Sequence, residues 1–523
     1  MQGKESYCVE ETGQNYLFPN GSRELLAHAE KRSYTLKKKG ENMTIRSVAI
    51  PYLCVILTGM LYAGNPEGNL KGLQYDKDLI PPSEYKTRRD SVMHMIGTDA
   101  AAILYSAPER MRNGDVDYVY RQSDNFYYLT GFTEPNAILI LAPKGLKINI
   151  TDSTTDTVNE ILFVQERNPS DETWTGRRYG PDGAMKLIGI QYSETNDQFK
   201  KMFRRLIYSG IHNLYVEPIT TDISGEIRDL IAPVQDWIDN KKTRSSLVEL
   251  RDPDALINKM REIKSPAEIA MIKKATDISV IAHKQAMMSV EPGMYEYQLS
   301  AVYQYVFQSL GAEFYGYPCI NGSGENSVIL HYETNRKQIA DGDVCLSDCA
   351  AEYHGYSSDI TRTYPANGTF TKEQKQIYQI VLQAQNTAIA MIKPGAVWRD
   401  ISAAADSVLE EGLLSLGLMK TKSMRELRKF YMHGLGHPIG LDVHDAGGRV
   451  LEAGMLTTVE PGIYIREGMD GVDPKYYNIG VRIEDDILVT PTGHTNLSEG
   501  APREIQDIEA LMKKKGIGNQ PIR

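Results

Sequence analysis

Cysteine is scarce in this chain and follows no framework. The five cysteines, Cys8, Cys54, Cys319, Cys345 and Cys349, form no Cys-x-x-Cys pair and no zinc-type spacing. Cys345 and Cys349 lie four apart on one expected strand, ~13 Å end to end, too far to bridge each other. The cysteines therefore read as reduced or buried residues. Apolar runs of membrane length are also missing: the run from Val48 to Ala63 spans about 16 residues and is broken by Pro51, short of the ~20 that a spanning helix needs. Positive charge does not predominate, with 58 Lys and Arg against 68 Asp and Glu and a net charge of -10. That balance argues against nucleic acid as the main partner. No short-period repeat and no low-complexity tract interrupts the chain. What is present, 41% hydrophobic and 24% charged residues over a length of 523, is a globular composition long enough for two to four units.

Residues 1–84 are expected to be a polar N-terminal segment without clear periodicity. Inside it, the charged start at Met43–Arg46, the apolar stretch 47–63 and the small residue Ala63 resemble a secretory signal, best if translation begins at Met43. The protein is then exported or periplasmic, and otherwise cytoplasmic; a short anchoring or buried helix is the alternative. From residue 85 to 250 strand-like runs (101–105, 137–142, 161–164, 213–216) alternate with helical stretches (88–95, 196–207, 223–237), which predicts an α/β domain. Residues 152–157 and 168–178 read as polar, exposed loops, and 251–264 as a linker. Ser265-Pro-Ala-Glu268 is a capping box with proline in the first helical position, so a helix starts at Pro266 and runs to about Ser289. Further helices are expected at 296–310, 372–392 and 401–416, within an α+β domain from 265 to 510, followed by a tail from 511 to 523.

The stretch Val344–Thr363 reads as two strands joined by a turn around Glu352–Gly355. Side chains on a strand repeat every second residue, so the turn brings Asp348 and Asp359 to one level. Two adjacent carboxylates repel by about 4 kcal/mol at 4 Å and an effective dielectric of 20, and such a pair shares a proton or a cation unless both face solvent. Three histidines, His433, His437 and His444, fall inside HGLGHPIGLDVHD. Gly434, Gly436, Pro438 and Gly440 exclude a zinc-binding His-x-x-x-His helix and suggest a pocket wall. Glu460 sits before Pro461, which holds it extended, and Glu484 shares a strand face with Arg482. Together with Asp348, Asp359 and one histidine these carboxylates would form an oxygen-rich site for hard divalent ions such as manganese, magnesium or cobalt. Two such ions can hold a hydroxide nucleophile and polarise a carbonyl.

Asp348, Asp359, His437, Glu460 and Glu484, with the words SDITRT, HGLGH, LDVHD, VEPGIY and RIEDD, resemble the pita-bread metallopeptidases, which include methionine aminopeptidase, prolidase, creatinase and aminopeptidase P. INGSGENSVILHYETN, DVDYVYRQSDNFYYLTGF and ETWTGRR look like bacterial aminopeptidase P, and the resemblance spans roughly residues 85–510. It implies an α/β N-terminal domain of the creatinase/aminopeptidase P type followed by an α+β pita-bread catalytic domain. It also implies two divalent metal ions, manganese (Mn2+) foremost, held by Asp348, Asp359, His437, Glu460 and Glu484, with Glu460 as general base toward a metal-bridged hydroxide. His331, His433 and His444 match the pocket histidines that position substrate and stabilise the tetrahedral intermediate. Tyr464 and Arg482 match groups that orient ligands. Asp115 matches an acidic group near the substrate amine, and Trp174 an aromatic lying over a neighbouring subunit's site. The chain departs from the family where Cys349-Ala350 stand in place of a common Ala-Gly, and in a trimmed span between His444 and Glu460.

The implied activity is hydrolysis of the N-terminal Xaa-Pro bond of peptides by a homo-oligomer, a dimer or a tetramer. A prolidase-type dipeptidase shares the same ligands, and a non-catalytic peptide-binding protein on the same fold is the alternative of another class. The signal reading makes its own prediction: N-terminal sequencing of protein from the native host should find residues 1–42 absent, and finding them intact would count against it.

Overall fold

The runs Ala100–Tyr105, Ile138–Ala142 and Ile161–Val164 are wholly apolar and buried, and the computed structural model shows that both faces of their sheet are covered there. The structure describes residues 8–11, 14–17, 35–38, 41–44, 74–149, 154–220, 223–241 and 248–520; the signal-like stretch 47–63 lies outside them. Six strands form a mixed sheet in the order Tyr192–Thr195, Thr155–Val164, Ile138–Asn149, Ala100–Tyr105, Asn213–Val216, Glu249–Arg251. Alternate residues point to opposite faces. Ala101, Ile103, Ile138, Ile140, Ile161 and Phe163 pack with Phe199, Phe203, Ile227 and Ile231 of two helices. Ala102, Leu104, Leu139, Leu141 and Leu162 on the other face join a second cluster that runs on into the C-terminal half.

Several sequence expectations are corrected here. The polar stretch 168–178 contains a helix, Pro169–Thr175, because Asn168 accepts from the Ser170 N–H and proline occupies the first turn. The Thr155–Val164 strand begins inside the stretch read as polar loop, since its first residues extend the ladder beyond the buried part. The 251–264 segment is no loose linker. Arg251 closes an edge strand, and a helix, Asp254–Arg261, follows almost at once. The N-terminal unit, Met1–Tyr75, contains a four-stranded antiparallel sheet (Cys8–Glu11, Gln14–Leu17, Thr35–Lys38, Glu41–Thr44). Strands of four residues are too short to show alternation. Residues 511–520 dock on the Pro266–Ser289 helix: Gly516 N–H donates to the Met288 carbonyl and Gly518 N–H to the Ser289 hydroxyl. Among the described residues no helix is long and apolar enough to cross a membrane.

The Pro266–Ser289 helix begins as expected, with both bonds of its capping box present. It packs beside Glu296–Ser309, and Lys372–Met391 beside Trp398–Ser415. These pairs cover small antiparallel sheets built from Ile320–Ser323, Val344–Asp348 and Thr361–Pro365, and from Leu456–Val459, Asp485–Thr490 and Gly493–Asn496, with the hairpin Gly462–Ile465/Ile479–Arg482. Gly480 fits this crowding because a Cβ there would lie 2.0 Å from the Ser327 carbonyl oxygen.

Charged groups tie the halves of the Asp76–Arg523 unit together. Buried Arg88 pairs with Glu268 at 3.3 Å, at the start of the long helix. Arg121 donates to Glu352 at 2.8 Å and to the Leu441 carbonyl at 2.8 Å. Deepest of all is Arg362, fully enclosed, which donates to Asp485 at 2.6 Å and to the carbonyls of Thr361, Glu484, Ala501 and Pro502. Every edge of its guanidinium is used. Removing one partner leaves a buried charge uncompensated, so Arg362→Ala should cost about 3–5 kcal/mol in urea unfolding or prevent folding outright. A loss under about 1 kcal/mol would show the pair to be dispensable.

Candidate active site

The Val344–Thr363 hairpin sets the site, but in two segments. Val344–Asp348 pairs with Thr361–Pro365, with Asp348 opposite Thr361, and Ala351–Tyr353 pairs with Tyr356–Ser357 around a His354-Gly355 turn. Both turn residues are left-handed, φ 48° and 80°. Between the segments the ladder opens at Asp359, whose N–H turns to the Asp486 carboxylate at 3.2 Å. The Ser358 hydroxyl donates to the same carboxylate at 2.9 Å. The long helix satisfies what the opened ladder leaves: His283 Nε2 donates to the Cys349 carbonyl at 3.0 Å, and the Ser279 hydroxyl accepts from the Ala351 N–H. Asp348 and Asp359 therefore converge as expected, although Asp359 lies outside any strand. One hydroxyl, that of Tyr317, sits 2.5 Å from a carboxylate oxygen of each.

Glu460 and Glu484 reach the same point from the junction of two hairpins. Glu460 follows Val459, the last strand residue, and its N–H donates to the Leu435 carbonyl at 2.7 Å. Glu484 accepts from the Thr361 hydroxyl at 2.7 Å. His437 arrives on the glycine-rich loop. A Cβ on Gly436 would lie 2.2 Å from the Thr458 carbonyl oxygen, so only glycine lets the loop approach that strand. The His437 Nδ1–H donates to the Pro438 carbonyl at 3.1 Å. Its Nε2 is thereby turned inward, 3.4 Å from Asp359 and 3.6 Å from Glu460.

Arg482 counters this negative charge, donating to Asp348 at 2.7 Å, to the Tyr464 hydroxyl at 2.9 Å and to the Thr361 hydroxyl at 3.1 Å. Tyr464 in turn donates to His433 Nε2 at 2.7 Å, while the His433 Nδ1–H donates to the Gly434 carbonyl at 2.8 Å. Burial, with Arg482 nearby, pushes His433 down to about 3, so it is neutral and its tautomer is set. His444 stacks on His437 with ring centroids 3.8 Å apart; burial and the neighbouring His437 lower its basicity. His331 is exposed and lies close enough to His444 to act on it electrostatically.

Two predicted residues do not join this cluster. Asp115 is exposed at the tip between Met111–Asn113 and Val116–Asp117, and Trp174 is 89% exposed on its short helix. Both belong to surface features of the N-terminal half, and a single chain does not carry them to the carboxylates. Conversely, Tyr317, Thr361 and Asp486 escape sequence reasoning. One of two tyrosines in FYGYPCI and a second aspartate in RIEDD carry no signal until the ladder breaks in space.

Two family models match the chain: metallopeptidase family M24 over residues 270–491, and the aminopeptidase P N-terminal domain over residues 85–215. The chain is 36% identical over 452 residues to the Xaa-Pro aminopeptidase of Escherichia coli (strain K12), covering 83% of this chain and 98% of that protein. The chain belongs to metallopeptidase family M24. Among solved structures, Pseudomonas aeruginosa aminopeptidase PepP superposes with a TM-score of 0.76 at 38% identity, over 84% of this chain and 99% of that one. E. coli aminopeptidase P with the inhibitor Pro-Leu superposes at 0.75 and 35% identity, over 83% and 99%. As an M24 enzyme it joins the pita-bread catalytic fold to an aminopeptidase P-type N-terminal domain.

The M24 donor set fits a hard divalent ion on its own geometry. Ligand atoms of Asp359, His437 and Glu484 lie within 4.8 Å of one another, and His437 shows the orientation of a metal-ligating imidazole, its second nitrogen committed to a carbonyl. Burial pushes Glu460 up to about 8 and Glu484 well above the usual carboxylate range, with the neighbouring aspartates adding to both. For His437 burial opposes the charge, but Asp359 and Glu460 outweigh it and raise the imidazole to about 9. The ion-free site thus retains protons at neutral pH that ligation must displace. Binding of Mn2+ near pH 7 should release about two protons or more, from Glu460 and His437 first, measured by calorimetry in two buffers of different ionisation enthalpy. The release should shrink above about pH 9, beyond the Glu460 value and through that of His437. Because the Glu460 value is raised from 4.5 to about 8, the ion-free fold should lose stability as pH rises across this window, and Glu460→Gln should flatten the slope.

Proposed function

We propose that the chain removes the N-terminal residue from peptides whose second residue is proline. The convergence of Asp348, Asp359, His437, Glu460 and Glu484 around one point carries this reading, supported by its Xaa-Pro aminopeptidase relatives. These five residues would hold two divalent ions, and Mn2+ suits an oxygen-rich set with one imidazole. Bound there, the ions supply Lewis acidity toward the scissile carbonyl and toward water.

The protein's own groups do the rest. Glu460, desolvated and more basic than an ordinary carboxylate, takes the proton of the attacking water and returns it to the leaving nitrogen. His331 and His444, on the open side, hold the carbonyl oxygen as charge develops on it. Neutral His433, oriented by Tyr464, forms the wall nearest Glu460, with Nδ1 3.6 Å from its carboxylate. Arg482 keeps Asp348 in place. An Xaa-Pro bond is a tertiary amide with no N–H and a restricted geometry, so a pocket shaped for it discriminates by fit. Trp174 and Asp115, exposed on the single chain, are available to a second copy's site, in keeping with a dimer or tetramer.

The test is a substrate series. With Mn2+, Xaa-Pro peptides of three or more residues should release their first residue, and peptides lacking proline at the second position should not. Glu460→Gln should lower kcat about 10²–10⁴-fold with Mn2+ still bound. Cleavage confined to Xaa-Pro dipeptides would instead mark a prolidase, and no release from any Xaa-Pro substrate would overturn the proposal.

A further inference from the structure

Beneath the aspartate pair lies a thiol pair to which the hydrolytic chemistry assigns no role. The strand Ile320–Ser323 runs antiparallel to Val344–Asp348 with Ile320 opposite Asp348. One step beyond, the same register sets Cys319 opposite Cys349. The backbone of Cys349 is committed elsewhere: its N–H donates to the Ile360 carbonyl at 3.2 Å and its carbonyl accepts from His283. The Cys319 carbonyl accepts from Asn335 at 2.7 Å. The two cysteines therefore face each other as a pair without mutual backbone bonds, the closer kind of cross-strand pair, with Cα atoms about 4.5 Å apart. Disulfides accept Cα separations of about 4.4–6.8 Å. Both are free thiols, and the Cys349 sulfur lies against the strand that Cys319 leads into, 3.8 Å from the Ile320 carbonyl oxygen and 3.8 Å from the Asn321 Oδ1.

We infer that Cys319 and Cys349 form an oxidation site, closing to a disulfide under a hydroperoxide and loosening the neighbouring metal centre. Cys319 keeps 5% exposure whereas Cys349 is fully enclosed, so the oxidant meets Cys319 first. Its sulfur displaces hydroxide from the peroxide O–O bond, giving a sulfenic acid and one water (from hydrogen peroxide) or alcohol. Cys349 then attacks that sulfur, the S–S bond forms as the S–O bond breaks, and the thiol proton leaves with the hydroxyl as water.

The consequence follows from chain connectivity and rests on the metal-site reading above. Asp348 immediately precedes Cys349. Tyr317, whose hydroxyl touches both Asp348 and Asp359, lies two residues before Cys319. Drawing the sulfurs in to ~2.05 Å pulls both backbones together at the point that aims these oxygens. Disturbing such outer contacts commonly costs about 10–100-fold in metal affinity.

The experiment treats the reduced, metal-free full chain with hydrogen peroxide, alkylates it under denaturing conditions, and maps peptides by mass spectrometry. Titration calorimetry with Mn2+ follows, before and after oxidation. A Cys319–Cys349 cross-linked peptide is expected, with Mn2+ bound about 10–100-fold more weakly and both changes reversed by dithiothreitol. Cys349→Ala and Cys319→Ser should each bind Mn2+ like the reduced parent and lose the response to peroxide. Full alkylation of both cysteines in treated, still folded protein would overturn the inference, as would a cross-link that leaves Mn2+ affinity unchanged. Failure of the metal reading is read separately, as absence of Mn2+ binding by the reduced parent.

Discussion

Mutual repulsion among four carboxylates in one buried pocket is the constraint on which the rest of this structure depends. Asp348, Asp359, Glu460 and Glu484 come from four separate points of the chain, and burial removes the water that would otherwise screen them. Each is met by a specific group. Arg482 bonds Asp348, the Tyr317 hydroxyl bridges Asp348 and Asp359, Thr361 donates to Glu484, and His437 lies between Asp359 and Glu460. These contacts temper the repulsion without removing it: burial first, and the neighbouring aspartates after it, keep Glu460 and Glu484 more basic than free carboxylates. A divalent ion held there would complete the balance, and its binding would then be coupled to proton release.

The scaffold is arranged to hold those groups against their repulsion. Behind the ligands stand residues that contact no ligand side chain but govern backbone placement. Asp486 takes the N–H of Asp359 and so opens the hairpin where a ligand must turn inward. Arg362 and Asp485, both fully enclosed, join the Thr361 strand to the Glu484 strand. The long helix contributes Thr276, Ser279 and His283 to the same network. The α/β half is tied to this framework by Arg88 on Glu268 and Arg121 on Glu352, so its sheet is anchored to the turn end of the metal hairpin. The thiol pair Cys319/Cys349 occupies the opposite margin of that hairpin, one residue from Asp348, where a small covalent change has the shortest path to a ligand.

Much of this was legible in the sequence, for physical reasons. The Pro266 helix announced itself through Ser265, Pro266 and Glu268, because a capping box and a first-turn proline act within one turn of chain. The buried strands of the α/β half were visible as apolar runs, since covering both sheet faces requires hydrophobic side chains at every position. The helix at Pro169–Thr175 was missed because it is short and buries none of its side chains, leaving only Asn168 and Pro169 to betray it. Asp115, expected near the substrate amine, and Trp174, expected over a neighbouring subunit's site, both stand on the exposed surface of the single chain.

What the sequence determined by itself is the inventory of chemistry: five metal-ligand candidates, their order, and the motifs that place the chain in family M24. The glycines around His437 bar a helix and the proline after Glu460 holds it extended, both through local backbone effects, so this much of their meaning survives without a fold. What only the tertiary structure decided is which neutral and oppositely charged groups meet those ligands. Tyr317 lies 31 residues from Asp348, and Arg482 lies 134 from it. Asp486 opens the ladder at a residue 127 positions earlier. Cys319 finds Cys349 only through strand register. Hydrogen bonds and Coulomb forces act over a few ångströms of space and are indifferent to chain separation, so partnerships of this kind exist only once the strands are side by side.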